Sequence, residues 1–215
     1  METEKNTEKK ILEIAENEFL EKGYVGAKTT EIARKAGVTH AMLHYYYRTK
    51  DKLFQQIFEE KARFVASQLN AAIDEGGSPL ERIEHMVGVH FDFVTHNYRL
   101  VLFLFNEVRQ NEDLFQMFRS IISPQVSVLE QRLSTLIREG VEQGTLRKVS
   151  SMDLLLNMLS MNLMQGFLQA MPNLIPIDNQ VEPSQFRENR RREVIETVLS
   201  RIRPYERTEN NQSSL

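Results

Sequence analysis

Residues 28–53 read KTTEIARKAGVTHAMLHYYYRTKDKL. Two short apolar-periodic segments, Thr30 to Ala36 and Thr39 to Tyr47, are separated only by Gly37 and Val38. Threonines precede or open both segments, and a threonine there can accept a first-turn backbone N–H at an N-cap. Two short helices on a tight glycine turn form a helix-turn-helix pattern. On a helix beginning at Thr39, the 3.6-residue period turns Val38, Leu43 and Tyr47 inward and leaves His40, Ala41, His44 and Tyr45 outward. The second helix of such a motif presents its outward side chains, especially the N-terminal ones, to base edges in a major groove.

The charge of this window runs against that of the chain. The whole sequence is acidic, with a formal net charge of −3, which taken alone argues against a nucleic-acid partner. Residues 28–52, however, carry Lys28, Arg34, Lys35, Arg48, Lys50 and Lys52 against only Glu31 and Asp51, a local charge of +4. Residues 1–52 sum to +1 and residues 53–215 to −4. The same window holds His40, His44 and Tyr45-Tyr46-Tyr47, half of the six tyrosines. Cations supply counterion release on a phosphate backbone, while tyrosine hydroxyls and backbone N–H groups fix register. A solvated basic face and a row of core aromatics would be the plainer readings of the same residues; the helix-turn-helix spacing favours DNA.

Composition narrows the remaining classes. The 215 residues contain no cysteine, which excludes disulfides, thiolate zinc sites and cysteine nucleophiles. The start METEKNTEKK is charged and no apolar stretch follows it, so no secretory signal is expected. The longest unbroken apolar run is Leu100 to Phe105, and Leu154 to Met171 is interrupted by Asn157, Ser160, Asn162, Gln165 and Gln169. Neither approaches the roughly 20 apolar residues of a spanning helix. A cytoplasmic protein without a membrane partner is the expectation.

Apolar spacing is helical almost throughout, with no period-2 strand pattern, so the fold class is all-α with about nine helices. Ile11, Ile14, Ala15 and Phe19 line the first helix, which Gly23 should stop. Thr49 caps a long fourth helix that ends at Gly76-Gly77. Ser78-Pro79-Leu80-Glu81 is a capping box with proline at the first helical position, opening a helix to about His96. A short helix covers Leu100 to Arg109. Another starts near Asp113, and Ser123-Pro124 either restarts or kinks it before an end at Gly140 or Gly144. The last two helices span Met152 to Met171 and about Phe186 to Ile202. Between them PNLIPIDNQVEPSQ holds three prolines and cannot be helical throughout. The polar tail at 206–215 is expected to be disordered.

Taken together, Ile11, Ala15, Phe19, Gly23, Thr29, Ile32-Ala33, Ala36-Gly37-Val38, Leu43, Tyr46, Lys50 and Leu53 resemble, without a gap, the tetracycline-repressor (TetR) family of bacterial transcriptional regulators. The resemblance covers about a quarter of the chain, and its combination of positions is specific. It implies an N-terminal three-helix DNA-binding domain over 1–52, joined by the long helix to a ligand-binding and dimerisation domain over 53–205. It further implies phosphate contacts from Thr29, Thr30, Tyr46 and Lys50. Thr39, His40, Ala41, Met42, His44 and Tyr45 would lie at or near base edges. Two departures bear on the operator sequence: His40-Ala41 stands where the family often has Lys-Gly, and His44 where it usually has Tyr. Thr29 and Thr39 could equally be N-caps, and Met42 could pack inward.

The larger remainder carries a weaker signal. Phe91, Phe93, Phe103, Phe105, Phe115, Met117, Phe118, Met158, Met161 and Phe167, with polar Asn106, Asn157, Asn162 and Gln165, are candidates to hold a small, largely apolar effector. A plain core explains them equally well. His85, His90 and His96 share one helix; Asp92 and His96 have the i,i+4 spacing of a metal pair, whereas His85 and His90, five apart, do not share a face, and no metal or cofactor is expected. Val194, Ile195, Val198, Leu199 and Ile202 form an apolar stripe on the last helix, and the eighth is apolar nearly all round. A two-fold pairing of these helices would make a homodimer, which a palindromic DNA operator requires. The expected function is a DNA-binding regulator, most plausibly a repressor released by its ligand. A DNA-binding dimer without ligand control is one alternative. An enzyme with a helical pocket is another, but no Ser-His-Asp order or glycine-rich phosphate loop supports it.

Overall fold

The computed structural model describes residues 2–171, 174 and 182–204. Among these there are nine helices and no strand: α1 (Glu2–Gly26), α2 (Thr29–Ala36), α3 (His40–Tyr47), α4 (Lys50–Asp74), α5 (Pro79–His96), α6 (Tyr98–Gln110), α7 (Glu112–Glu142), α8 (Ser151–Ala170) and α9 (Pro183–Ser200). Most of the proline-rich segment and the whole 206–215 tail lie outside the described residues.

The start signals are realised as hydrogen bonds. Thr39 caps α3 by accepting from Met42 N–H at 3.1 Å, and Thr49 caps α4 by accepting from Lys52 N–H at 3.1 Å. Ser78 and Glu81 close the capping box of α5. Asn111 and Ser150 cap α7 and α8 through Leu114 and Asp153. Each of these satisfies a first-turn donor that would otherwise be orphaned. Gly23 interrupts the first helix as its sequence suggests: its backbone is non-helical, with φ 72 and ψ 169, and a short helical turn follows to Gly26. Pro124 lies within one continuous α7, which ends at Glu142.

Two cores form, one at each end of α4. At about 1.5 Å per residue, this 25-residue helix is about 37 Å long. Its first half (Leu53, Phe54, Ile57, Phe58) closes a core with Ile11, Ala15 and Phe19 of α1, Ile32, Ala33 and Ala36 of α2, and Leu43 and Tyr47 of α3. Its second half (Leu69, Ala72, Ile73) enters a larger core with α5, α7, α8 and α9. The head is not sealed by its own helices. Leu114 of α7 is buried in the head's core, and Phe103, Leu104, Met117, Phe118 and Ile121 of α6 and α7 pack against it.

The α9 stripe has a different destination from a partner chain. Val194, Ile195, Val198, Leu199 and Ile202 are all buried in the larger core of their own protomer. An Arg191 guanidinium also holds the Asp92 carboxylate of α5 through bonds of 3.0–3.1 Å. An apolar stripe specifies burial without specifying whose surface buries it. Among the exposed large apolar side chains is a row along α8 and its C-cap: Met152, Leu156, Leu163, Met164, Phe167 and Met171.

Candidate DNA-reading head and effector cavity

The helix-turn-helix is built from its turn outward. Gly37 ends α2 in the left-handed region (φ 72, ψ 28), and its N–H together with that of Val38 closes on the α2 carbonyls. An L side chain at that backbone costs about 1–2 kcal/mol. Leu43 and Tyr47 anchor α3, and the Tyr47 hydroxyl donates to the Glu8 carbonyl of α1 at 3.3 Å. With that face buried, His40, Ala41, Met42, His44 and Tyr45 are exposed, Tyr45 at 82%. Met42, for which an inward orientation was open, faces out. Tyr46 is half-buried against the head.

The two histidines of α3 are organised before any partner arrives. Their rings meet edge to face at 4.4 Å. His40 Nε2 lies 3.0 Å from the Thr29 hydroxyl, and His44 Nδ1 lies 2.7 Å from the Arg48 carbonyl. Thr29 is therefore not the N-cap of α2; Lys28 occupies that position without a side-chain cap. Its hydroxyl steers His40 instead, a contact eleven residues away that local spacing does not signal. Arg48, after α3, is the one non-glycine with positive φ (47) among the described residues. Lys50 sits at the start of α4, its ammonium 3.3 Å from the Val25 carbonyl and 4.7 Å over the Tyr24 ring. Burial holds its pKa below the usual lysine value. Tyr24 in turn bonds Asp51. Thr30 is exposed on the first turn of α2.

Some distance along α4, an apolar cavity of about 630 Å³ opens between α4, α5, α6, α7 and α8. Its walls include Val65 and Leu69 of α4, Phe93 and Val94 of α5, and Val101, Leu104, Phe105 and Val108 of α6. Phe115, Phe118, Val126 and Leu129 of α7 and Leu155, Leu159 and Leu163 of α8 complete them. Polar groups are few: His90, Arg109 and Gln125. The size falls within the roughly 300–1,000 Å³ of small-molecule sites.

Of the residues singled out from sequence, Phe93, Phe105, Phe115 and Phe118 line this cavity. The others do not. Phe91 and Met158 are fully buried core, Phe103 and Met117 pack against the head, Met161 packs on the larger core, and Asn106 is exposed. Asn162 and Gln165 are buried behind the wall, where Asn162 Nδ2 donates to His90 Nδ1 at 2.8 Å. Missed were the aliphatic majority of the lining and Arg109, because an aliphatic residue facing a void has the same helical period as one facing a core. The suggested Asp92/His96 pair is occupied otherwise: Asp92 holds Arg191, and His96 Nδ1 meets the Asp92 carbonyl at 2.6 Å.

Burial pushes the His90 imidazole down from 6.5 to about 4. The unfolded chain therefore takes up a proton near pH 6.5 that the folded chain refuses until about pH 4. Stability is lost as pH falls through that window, by about 3 kcal/mol at most for this group. Urea melts at neutral and mildly acidic pH should show wild type losing more than His90→Leu. Equal losses would contradict the buried neutral imidazole.

Comparison with known proteins agrees with this architecture. Residues 11–57 match the family model of bacterial regulatory proteins of the tetR family, and residues 58–166 match the YsiA-like protein C-terminal region. The fatty acid metabolism regulator protein of Bacillus subtilis is 24% identical over 139 residues, 64% of this chain and 70% of that protein. The transcriptional regulator BetI of Brucella canis is 27% identical over 143 residues, 63% of this chain and 72% of that protein. Among solved structures, the regulator FadR of Bacillus subtilis in complex with stearoyl-CoA superposes with TM-score 0.68 at 20% identity, covering 89% of this chain and 97% of that one. The ketosteroid regulator KstR2 of Mycobacterium tuberculosis gives 0.67 at 16%, covering 92% and 95%. Among the described residues no helix is long and apolar enough to cross a membrane. With the helix-turn-helix in the first match and the cavity-bearing helices in the second, this chain belongs to the TetR family of DNA-binding transcriptional regulators.

Proposed function

We propose that this protein is a repressor that binds a palindromic operator as a homodimer and lets go of it when a long-chain acyl compound, such as a fatty acyl thioester, enters the cavity. The observation that carries the reading is shared walls. α6 lines the cavity through Val101, Leu104, Phe105 and Val108 and packs on the head through Phe103 and Leu104. α7 lines it through Phe115 and Phe118 and buries Leu114 in the head's core. A ligand that repositions these helices to complete its pocket must also reposition the head. It does so to the extent that it binds the released conformer more tightly. The nearly wholly apolar lining suits an alkyl chain, and Arg109 offers the lone cation among the lining side chains to an anionic headgroup. The fatty acid regulator and the stearoyl-CoA complex among the relatives support the same class.

On the DNA, Thr39, His40, Ala41, Met42, His44 and Tyr45 are assigned to base edges, and Thr29, Thr30, Tyr46 and Lys50 to phosphates. One head reads too few base pairs for useful specificity, whereas two heads about one helical turn apart read a palindrome. The exposed row on α8, together with the outward polar face of α9, is the surface assigned to the two-fold partner; the buried α9 stripe is not part of it. Lys50→Ala should weaken binding to every duplex and lower the salt slope by about 1, whereas His40 and His44 substitutions should change sequence preference. An unchanged salt slope for Lys50→Ala would remove it from the phosphate path. The function itself is tested by titrating stearoyl-CoA into the protein bound to a duplex selected from a random pool, followed by fluorescence anisotropy. Release at stoichiometric ligand supports the reading, and a complex indifferent to every chain length overturns it. Recovery of the ligand unchanged distinguishes a regulator from an enzyme.

A further inference from the structure

Behind the apolar wall between α5 and α8 lies a polar group that neither DNA reading nor a plain alkyl chain uses. His90 is 7% exposed, lines the cavity, and accepts at Nδ1 from Asn162 Nδ2 at 2.8 Å. An imidazole that accepts at Nδ1 in its neutral form carries its proton on Nε2. That Nε2 has no hydrogen-bond partner among the described residues. An imidazole N–H without a protein partner, on an otherwise apolar cavity wall, is placed to meet an oxygen carried by the ligand.

We infer that the effector carries an uncharged oxygen, a hydroxyl or a carbonyl, on its enclosed apolar body, and that His90, positioned by Asn162, donates to it. This deepens the reading of the cavity as an acyl-chain site and rests on it. Both oxygens accept from the imidazole N–H. A saturated chain instead leaves the N–H without a partner on the ligand. The pair is thus a filter superimposed on a greasy pocket, in which the carbon chain supplies affinity and a single oxygen supplies choice.

The test uses stearic acid against hydroxystearic and oxostearic acids with the oxygen at successive positions along the chain. Binding to the full-length protein is read by calorimetry. One or more oxygenated isomers should bind about tenfold tighter than stearic acid, as one well-placed hydrogen bond allows. That preference, read as the ratio of the two affinities, should vanish in His90→Leu. Wild type indifferent to the oxygen, or a preference that survives His90→Leu, overturns the inference while leaving the acyl-chain reading standing. Failure of every acid, stearic included, overturns that reading and the inference with it. Because His90→Leu alters packing as well, imidazole nitrogen NMR of wild type supplies an independent check. Nε2 should be the protonated nitrogen and should shift on adding the preferred isomer, whereas a proton on Nδ1 contradicts the assignment.

Discussion

Phe54→Ala should be the most damaging single substitution in the DNA-binding head, costing about 3–5 kcal/mol. Phe54 is 2% exposed, and its ring meets Phe19 at 5.1 Å, Tyr24 at 4.9 Å, Phe58 at 4.7 Å and Phe103 at 5.8 Å. It thus joins α1, α4 and α6 at one point. Truncation removes buried apolar area and leaves a cavity that four aromatic neighbours cannot easily collapse. Thermal melts should show an early transition for the head, with operator binding lost before the larger core unfolds. A single transition within about 1 kcal/mol of wild type would show that Phe54 does not hold the head to α6.

The second large effect concerns the cavity. Leu159 is half-buried on α8, lines the cavity and packs on the larger core. Leu159→Trp places an indole in the space assigned to the acyl chain. Overpacking of this kind typically costs about 1–3 kcal/mol, and an adjoining void reduces that cost. The variant should fold and bind DNA, but its operator affinity should no longer change with stearoyl-CoA, which it should bind at least about 100-fold more weakly. Full release of Leu159→Trp by the same ligand concentration would place the effector elsewhere.

The head was legible because its signals are local. Gly37, the caps Thr39 and Thr49, and the inward pair Leu43 and Tyr47 each act within a turn or two of their own position, and the structure realises them as read. Where reading failed, the deciding contact was distant in sequence. Thr29 was open to a capping role because only the fold brings it to His40. The α9 stripe was assigned to a partner because periodicity records that a face is buried and not what buries it. The cavity was the least legible feature. Val65, Val101, Leu104 and Val108 face a void, while Phe91 and Met158 face a core, and the difference lies in how five helices cross. His90 was noticed only as one of three histidines on a helix; its role depends on Asn162, seventy-two residues away.

Coupling between cavity and head is the central claim, and the absence of cysteine makes it directly measurable. Val25 is 86% exposed on the head. Val25→Cys therefore accepts a single spin label per chain, and electron–electron resonance of the proposed dimer reports the separation of its two heads. With stearoyl-CoA added, the distribution should move as a whole to a new mean that no longer matches the operator-bound sample. An unchanged distribution under conditions where the same ligand releases DNA would contradict the account.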